Sequence, residues 1–264
     1  MSYKFLAVLL LIAHFVGDYY LQPQKLARAK EQKLKWLLLH CAIYGAATLL
    51  LVCIPFIAFP QAWWILLVPA SHAMIDISKD FLLKTKRLSG RRIEDMDARS
   101  SFITKRDRIV FFLDQIAHIV IIAVFSLFFT RLGGNQASAS ANWIFKQFDA
   151  LGVDLTWVQF LKLSCLALFL CKPCSIIVRN VLARPDAPKD EPKAGRVIGI
   201  LERCFTGLFL LLGQWSALGF VIAAKTLARY NDITKEKNFA EQYLIGTMTS
   251  ILLTVLAVLI YKQI

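Results

Sequence analysis

The sequence predicts an all-α protein, a polytopic bundle of about eight transmembrane helices with both termini on the external side. Three observations lead to this prediction. Hydrophobic residues make up 57% of the 264 residues, above the roughly 45–50% of soluble domains. They are concentrated in runs of about 20 residues, the length that crosses a bilayer. The basic residues lie between these runs, in alternate segments.

Eight apolar runs define the predicted spans. They cover residues 3–21, 36–58, 62–83, 108–130, 155–179, 196–212, 214–229 and 240–261. The sixth and seventh are short, and form either a hairpin that turns at Gly213 or one long bent helix. We interpret the first run as a retained span, because His14 and Asp18 interrupt it and no A-x-A cleavage site follows.

The distribution of charge predicts the orientation of these spans. Of the 31 Lys and Arg residues, 25 lie in the alternate segments 22–35, 79–108, 172–196 and 225–237. By the positive-inside bias these segments are cytoplasmic, which puts both termini outside. The net charge of +13 therefore reflects membrane topology, and we expect no nucleic-acid partner.

Two segments are typical of linkers. Residues 132–153 include the small polar run GGNQASASAN and are predicted to form an external linker. Residues 184–195 are rich in Pro and charge, which predicts a cytoplasmic linker without regular structure. The chain then divides into two four-span halves, 1–131 and 154–264.

Its six cysteines lie in or beside apolar runs, so no disulfide framework is implied.

Each of the first four spans carries one histidine, and three of these have an aspartate four residues away. The residues are His14, Asp18, His40, His72, Asp76, Asp114 and His118. Residues four apart share a helix face. Counted from the nearest basic segment, the four histidines lie roughly 8–15 Å inside the cytoplasmic boundary. Four antiparallel helices would therefore bring them into one layer.

Such a layer is typical of a metal site. Ionised groups at this depth cost several kcal/mol unless they are paired, hydrated or bound to metal. Imidazole and carboxylate together suit Zn²⁺, Mn²⁺ or Fe²⁺, with one ion or two bridged by Asp. The alternatives are a hydrogen-bonded Asp–His network and a proton relay. Two haems are disfavoured, because they would need histidines at two depths.

The strings that hold these residues resemble a bacterial membrane-protein family, domain of unknown function 3307. They are HFVGDYYLQP (14–23), LLLHCAIYG (37–45), SHAMIDISKD (71–80) and FLDQIAHI (112–119). The strings GRVIGILER (195–203), GQWSALGFVIAAKTLARY (213–230) and EQYLIGT (241–247) resemble its longer members. The resemblance implies an integral membrane protein, which we expect in the bacterial inner membrane. It points to the same seven residues but implies no mechanism.

Three functions fit these observations. The first is a metal-dependent hydrolase of a lipid, a lipid-linked group or another small molecule, with Asp76 or Asp114 as base and Lys79 as electrostatic stabiliser. The second is a transporter of metal ions or protons. The third is a non-catalytic membrane scaffold with a buried polar network. Membrane lipids are the expected partners in each case.

Charged residues in the sixth and seventh spans predict further contacts. Glu202 and Lys225 each lie a few residues from the cytoplasmic end of the predicted hairpin, so we expect an ion pair between them. The alternative is that they line a polar substrate cavity. Arg203 and Arg229 are expected to reach the lipid headgroups. Cys171 and Cys174 have C-x-x-C spacing, for which two small apolar residues of a helix are the simpler interpretation.

Overall fold

The fold is helical throughout the residues that the structure describes. This computed structural model describes residues 3–30, 33–53, 63–88, 105–131, 156–182, 193–235 and 237–264. The helices are α1 (Tyr3–Phe15), α2 (Gln24–Lys30), α3 (Leu34–Thr48), α4 (Leu67–Leu88), α5 (Lys105–Arg131), α6 (Trp157–Cys171), α7 (Pro173–Leu182), α8 (Lys193–Leu211), α9 (Ala217–Ala228), α10 (Tyr230–Lys235) and α11 (Lys237–Gln263). Each predicted apolar run is mostly helical over its described residues, which confirms the all-α class.

Among the described residues, four helices are long and apolar enough to cross a membrane by their length and composition. They are Leu34–Cys53, Arg108–Phe128, Val158–Leu182 and Asn238–Gln263, and Ala217–Ala228 is a shorter apolar helix. Helix α4 has 22 residues but carries Asp76, Lys79 and Asp80 within its length. The chain therefore has the helices of a membrane protein, whereas eight spans and external termini stay predictions.

Helix α5 turns its polar side inward. Its buried residues are Asp114, His118, Ile122 and Ser126, at intervals of four. The opposite face is apolar and exposed, with more than half of the surface of Leu113 and Val124 uncovered. An exposed apolar face of this kind suits contact with lipid, while the inward face contributes two members of the predicted site.

The described chain forms two compact units. The first comprises Met1–Asp95 with Ile109–Cys165, and the second Met96–Arg108 with Leu166–Ile264. Boundaries between the units thus fall inside α5, after Arg108, and inside α6, after Cys165. The predicted linker 132–153 lies outside the described residues, so the division into halves at 131 and 154 stays a prediction.

Helix α1 lies in the interior of the first unit. Nine of its residues are buried: Phe5, Leu6, Val8, Leu9, Leu10, Ile12, Ala13, His14 and Phe15. A helix that is apolar on almost every side is stable only when neighbours cover it, and α1 contacts α3. Its C-terminal end therefore presents His14 to the middle of the unit.

The predicted fifth span, 155–179, has a one-residue break within the apolar stretch Val158–Leu182, so two helical segments follow each other there. Helix α6 ends at Cys171, Lys172 forms a turn, and α7 begins at Pro173. Proline has no N–H for the helical ladder and clashes with the preceding turn, but it is favourable as the first residue of a new helix.

The second unit is built on α11, which contacts α7 and α8. Its apolar core contains Leu166, Leu170, Leu210 and Val258. Helices α8 and α9 contact each other as a hairpin, which excludes the single bent helix. Gly213 has φ +77° in the turn, a backbone conformation that glycine adopts without strain. Helix α8 begins at Lys193, inside the predicted linker 184–195, whose earlier residues lie outside the described chain.

The charges of this hairpin confirm one prediction and overturn another. Lys225 Nζ lies 2.6 Å from Glu202 Oε2, so the expected ion pair is present. The expectation that Arg203 reaches lipid headgroups is wrong, because Arg203 is only 4% exposed. Its guanidinium points inward and donates to the backbone oxygen of Leu170 at 2.8 Å.

Candidate metal centre

The pair His14 and Asp18 lies where the first helix changes type. Val16–Tyr20 forms a π-helical turn after α1, in which the N–H of Leu21 donates to the oxygen of Val16 at 2.7 Å. Single π-helical turns are often found at functional sites. His14 Nδ1 and Asp18 Oδ2 are 3.8 Å apart, and both side chains are buried.

Asp18 faces histidines from three helices. Besides His14, its Oδ1 lies 2.9 Å from His72 Nε2 and 3.4 Å from His40 Nε2. The contact with His72 has hydrogen-bond geometry. One carboxylate thus holds together α1, α3 and α4, three elements that are distant in sequence.

Asp76 is shared between a histidine and a lysine. His40 Nε2 lies 3.3 Å from Asp76 Oδ2, and Lys30 Nζ lies 3.0 Å from the same oxygen. Lys30 also donates to Gln22 Oε1 at 3.2 Å. Lys30, on the short helix α2, therefore contributes a basic side chain to the cluster.

Asp114 pairs with the lysine that the sequence assigned to the site. Lys79 Nζ is 3.1 Å from Asp114 Oδ2, with a quarter of the lysine side chain exposed. Gln115 Nε2 donates to the same oxygen at 3.2 Å. The other oxygen, Oδ1, is buried and has no hydrogen-bond partner among the described residues.

Hydrogen bonds indicate the tautomers of two histidines. His118 Nδ1 lies 2.9 Å from the backbone oxygen of Asp114, so this nitrogen carries the proton and Nε2 keeps its lone pair. His14 Nε2 lies 3.3 Å from Gln115 Oε1, which also accepts from Tyr19 Oη at 2.6 Å. His14 therefore donates from Nε2 and keeps its lone pair on Nδ1.

Aromatic packing positions His72. Its ring stacks on Tyr44 with centroids 3.6 Å apart, and lies 4.3 Å from the ring of His118. Tyr44 in turn packs against Gly17, where a Cβ atom would come within 2.7 Å of Tyr44 Cδ2. Because Gly17 has no side chain, the ring of Tyr44 can lie against it, in the position where it stacks on His72.

Every histidine of the cluster leaves a ring nitrogen without a partner in the described part of the chain. The unpartnered buried atoms are His14 Nδ1, His40 Nδ1 and Nε2, His72 Nδ1, His118 Nε2 and Asp114 Oδ1. His40 Nε2 approaches two carboxylates, but not in hydrogen-bond geometry. Buried polar atoms normally have a partner, since leaving one unsatisfied costs about 1–3 kcal/mol.

The seven predicted residues all belong to groups with spacing suited to a metal ion. Three groups each have ligand atoms within 4.8 Å of one another: His14–Asp18–His72, His40–His72–Asp76 and Asp76–Asp114–His118. His72 and Asp76 each occur in two groups, so the three groups are contiguous. The structure thus brings the predicted residues together, while their ligand and catalytic roles stay predictions.

The charges of the cluster do not cancel. The three carboxylates face two ammonium groups, those of Lys30 and Lys79. With neutral imidazoles, one negative charge is therefore left over. An added cation would meet both free lone pairs and an excess of negative charge, the two properties of a metal site.

Comparison with known proteins places the chain in a family. A family model described as "Protein of unknown function (DUF3307)" matches residues 6–145, more than half of the chain. The chain belongs to the DUF3307 family. The matched region contains all seven His and Asp residues of the cluster. The C-terminal strings of this DUF3307 protein lie beyond the match, so their resemblance to the family stays a prediction. No curated protein and no solved structure matched.

Two residues that contact the cluster, Tyr44 and Lys30, were not predicted from the sequence. Tyr44 lies four residues after His40 on the same helix face, so helical spacing could have identified it. Lys30 gave no such signal, because it appeared as one of several basic residues in a segment whose charge the positive-inside rule already explained.

Proposed function

We propose that this DUF3307 protein binds a divalent metal ion at its His/Asp cluster and uses it to hydrolyse a lipid or lipid-linked substrate. The main support is the set of unpartnered imidazole nitrogens. Four buried histidines from four helices each have at least one such nitrogen, and neutral imidazole is the commonest metal ligand in proteins. Zn²⁺, Mn²⁺ and Fe²⁺ suit the mixed His and Asp ligands.

The hydrogen bonds of the histidines also support coordination. Histidine ligands usually donate their second nitrogen to a carbonyl or carboxylate, which fixes the ring and its tautomer. His118 has this arrangement with the Asp114 carbonyl, and His72 has it with Asp18. His118 Nε2 and His72 Nδ1 are then the nitrogens available to an ion.

The three ligand groups adjoin one another, so the cluster could hold one ion or two. His72 and Asp76 are common to two groups each, so they are the natural residues to lie between adjacent ions. Lys30 already contacts Asp76 at 3.0 Å. An ion held by Asp76 would therefore compete with the Lys30 ammonium, which has its Gln22 contact as an alternative.

The proposed hydrolysis assigns different tasks to the remaining groups. A bound ion would act as a Lewis acid and activate a water molecule. Asp114 has an unpartnered carboxylate oxygen, Oδ1, with which it would accept a proton as general base. Asp76 is the second candidate for that role. Lys79, partly exposed at the edge of the cluster, would stabilise negative charge that develops on the substrate.

The membrane setting is part of the proposal. We place the protein in the bacterial inner membrane, with eight spans, external termini and the cluster near the cytoplasmic face. The support comes from the four apolar helices and from the basic residues in alternate segments. A substrate in the cytoplasmic leaflet would then approach Lys79 from the side of the basic segment 79–108.

A specific observation favours a second candidate, the non-catalytic scaffold. Each carboxylate already has a basic partner, namely His72 for Asp18, Lys30 for Asp76 and Lys79 for Asp114. Such a network can hold helices together without a metal, because each partner reduces the cost of the buried charge. Transport of ions has no comparable support among these contacts.

Incubation with native lipids distinguishes the proposed hydrolase function from the scaffold function. The purified protein would be stripped with chelator, reloaded with Zn²⁺, Mn²⁺ or Fe²⁺ and incubated with a bacterial lipid extract. The proposal predicts an ion-dependent product by mass spectrometry, which disappears in Lys79→Met. The matched control is Lys225→Met, which removes an equally exposed lysine from an ion pair in the second unit. Bound metal with no change in any lipid would favour the scaffold.

A further inference from the structure

A second buried polar cluster lies in the other unit, around Arg203. Its guanidinium donates to the Leu170 carbonyl at 2.8 Å, to Ser250 Oγ at 3.4 Å and to Ser175 Oγ. All three acceptors are neutral oxygens. Arg203 is 4% exposed, and in the described part of the chain no carboxylate pairs with it.

The carboxylate next to Arg203 in the sequence, that of Glu202, is already engaged. Glu202 Oε2 lies 2.6 Å from Lys225 Nζ, so that pair is neutral as a whole. The cluster therefore keeps the positive charge of Arg203. A guanidinium cannot lose its proton in a protein, and an uncompensated charge among transmembrane helices is costly.

A small cavity adjoins this charge. It is lined by three apolar side chains and by Glu202, Arg203, Thr206, Lys225, Thr247, Ser250 and Thr254. It has room of about 20 Å³ for water-sized molecules. One hydroxyl in its lining, Thr247 Oγ1, is buried and has no hydrogen-bond partner among the described residues. Thr247 is only 5% exposed, so the cavity itself is where a partner would sit.

We propose that this cavity binds a chloride ion between Arg203 and the hydroxyl of Thr247. An anion would neutralise the charge of Arg203 and accept a hydrogen bond from the Thr247 hydroxyl. It would therefore compensate the buried charge and satisfy the buried donor. A water molecule would satisfy Thr247 but leave the charge. The room of about 20 Å³ suits a small anion, because about 10–15 Å³ of such space corresponds to a single water. The proposal concerns the second unit and does not depend on the metal centre.

Thr247→Val is the decisive variant. It keeps the shape of the side chain and removes a hydroxyl that has no protein partner, so the chloride-free protein should fold at least as well as the wild type. Thr247→Ser restores the hydroxyl. Thr48→Val is the matched control, since Thr48 is also buried but donates to the Tyr44 carbonyl in the first unit.

The test compares unfolding temperatures in chloride and in gluconate at equal ionic strength and with the same cation. Saturating chloride should raise the Tm of the wild type, Thr247→Ser and Thr48→Val by about 5 °C, as expected for a ligand that binds only the folded state. The rise should be absent or much smaller in Thr247→Val. Chloride-35 NMR should show excess line broadening with the same three proteins.

Two results would overturn the proposal. The first is an equal Tm in chloride and gluconate for every variant, which would leave water as the occupant. The second is a full chloride effect in Thr247→Val, which would place the anion elsewhere.

Discussion

His118 Nδ1 lies 2.9 Å from the backbone oxygen of Asp114, one helical turn earlier, and this contact leaves Nε2 of the same ring buried without a partner. The bond lies within a single helix. It therefore sets the tautomer of His118 without a contribution from any other helix, and directs a lone pair towards carboxylates and histidines of other helices.

This relationship predicts an unusual outcome for His118→Phe. The change keeps an aromatic ring and removes the unpartnered Nε2, whose burial costs about 1–3 kcal/mol. It also removes the Nδ1–H that donates to the Asp114 carbonyl, a hydrogen bond that contributes only about 0.5–1.5 kcal/mol. The chelator-treated variant should therefore be no less stable than the chelator-treated wild type, while its metal content falls. Thermal unfolding and elemental analysis of the same samples would measure both. A large loss of stability without metal would show that Nε2 has a partner in the protein.

Lys79→Met should destabilise the protein in a way that a metal ion reverses. The change leaves Asp114 without its ammonium partner at 3.1 Å, and we expect a loss of about 1–3 kcal/mol in the free energy of unfolding. Added Mn²⁺ or Zn²⁺ should restore part of it, because the ion replaces the missing positive charge.

The control for this prediction is Lys225→Met. Lys225 has the same side-chain exposure as Lys79 and also pairs with a carboxylate, but no described histidine contacts that pair. Metal should not restore its stability. Equal rescue of both variants would indicate a nonspecific effect of divalent ions on the membrane protein.

Gly17→Ala should disturb the cluster without touching a ligand. The new Cβ atom would lie 2.7 Å from Tyr44 Cδ2, so the tyrosine must shift, and its stacking partner His72 with it. We expect a loss of about 1–3 kcal/mol in stability together with weaker metal binding. Gly219→Ala is the control, since nothing lies within 4 Å of its Cβ position. There the alanine should stabilise α9 by about 0.5–1 kcal/mol.

The predicted topology is tested by labelling introduced cysteines or by reporter fusions. Positions 30, 95, 190 and 234 should report the cytoplasm, and positions 60 and 138 the outside, because the basic residues lie in the segments that contain the first four. A cytoplasmic signal at position 138 would contradict the eight-span arrangement.

Helical periodicity and the cost of buried charge were sufficient to predict the members of the cluster. The spacing of Asp114 and His118 identifies one face of α5, and the structure buries that face. The same reasoning located the Glu202–Lys225 pair. The buried face of α5 and the Glu202–Lys225 pair could be predicted because the first depends on the periodicity of one helix and the second on two helices joined by a short turn.

Predictions that depended on packing between distant segments were less successful. Arg203 was expected at the headgroups, since arginine side chains near helix ends commonly extend to them. Its inward orientation depends on Ser175 and Ser250, which belong to other helices. Lys30 likewise reaches Asp76 across 46 positions of sequence, and no local pattern specifies that contact.

The metal content of the purified protein tests the central proposal most directly. Wild type, Asp76→Asn and Glu202→Gln would be purified in detergent, reloaded with Zn²⁺, Mn²⁺ and Fe²⁺, dialysed and analysed for bound elements. Asp76→Asn keeps the shape of the side chain but removes a charge common to two ligand groups, and Glu202→Gln makes the same change in the second unit. We predict one or two tightly bound ions per chain in wild type and Glu202→Gln, with affinity reduced about 10–100-fold in Asp76→Asn. Wild-type protein that retains no ion after reloading, or Asp76→Asn protein with undiminished metal, would contradict the proposed coordination.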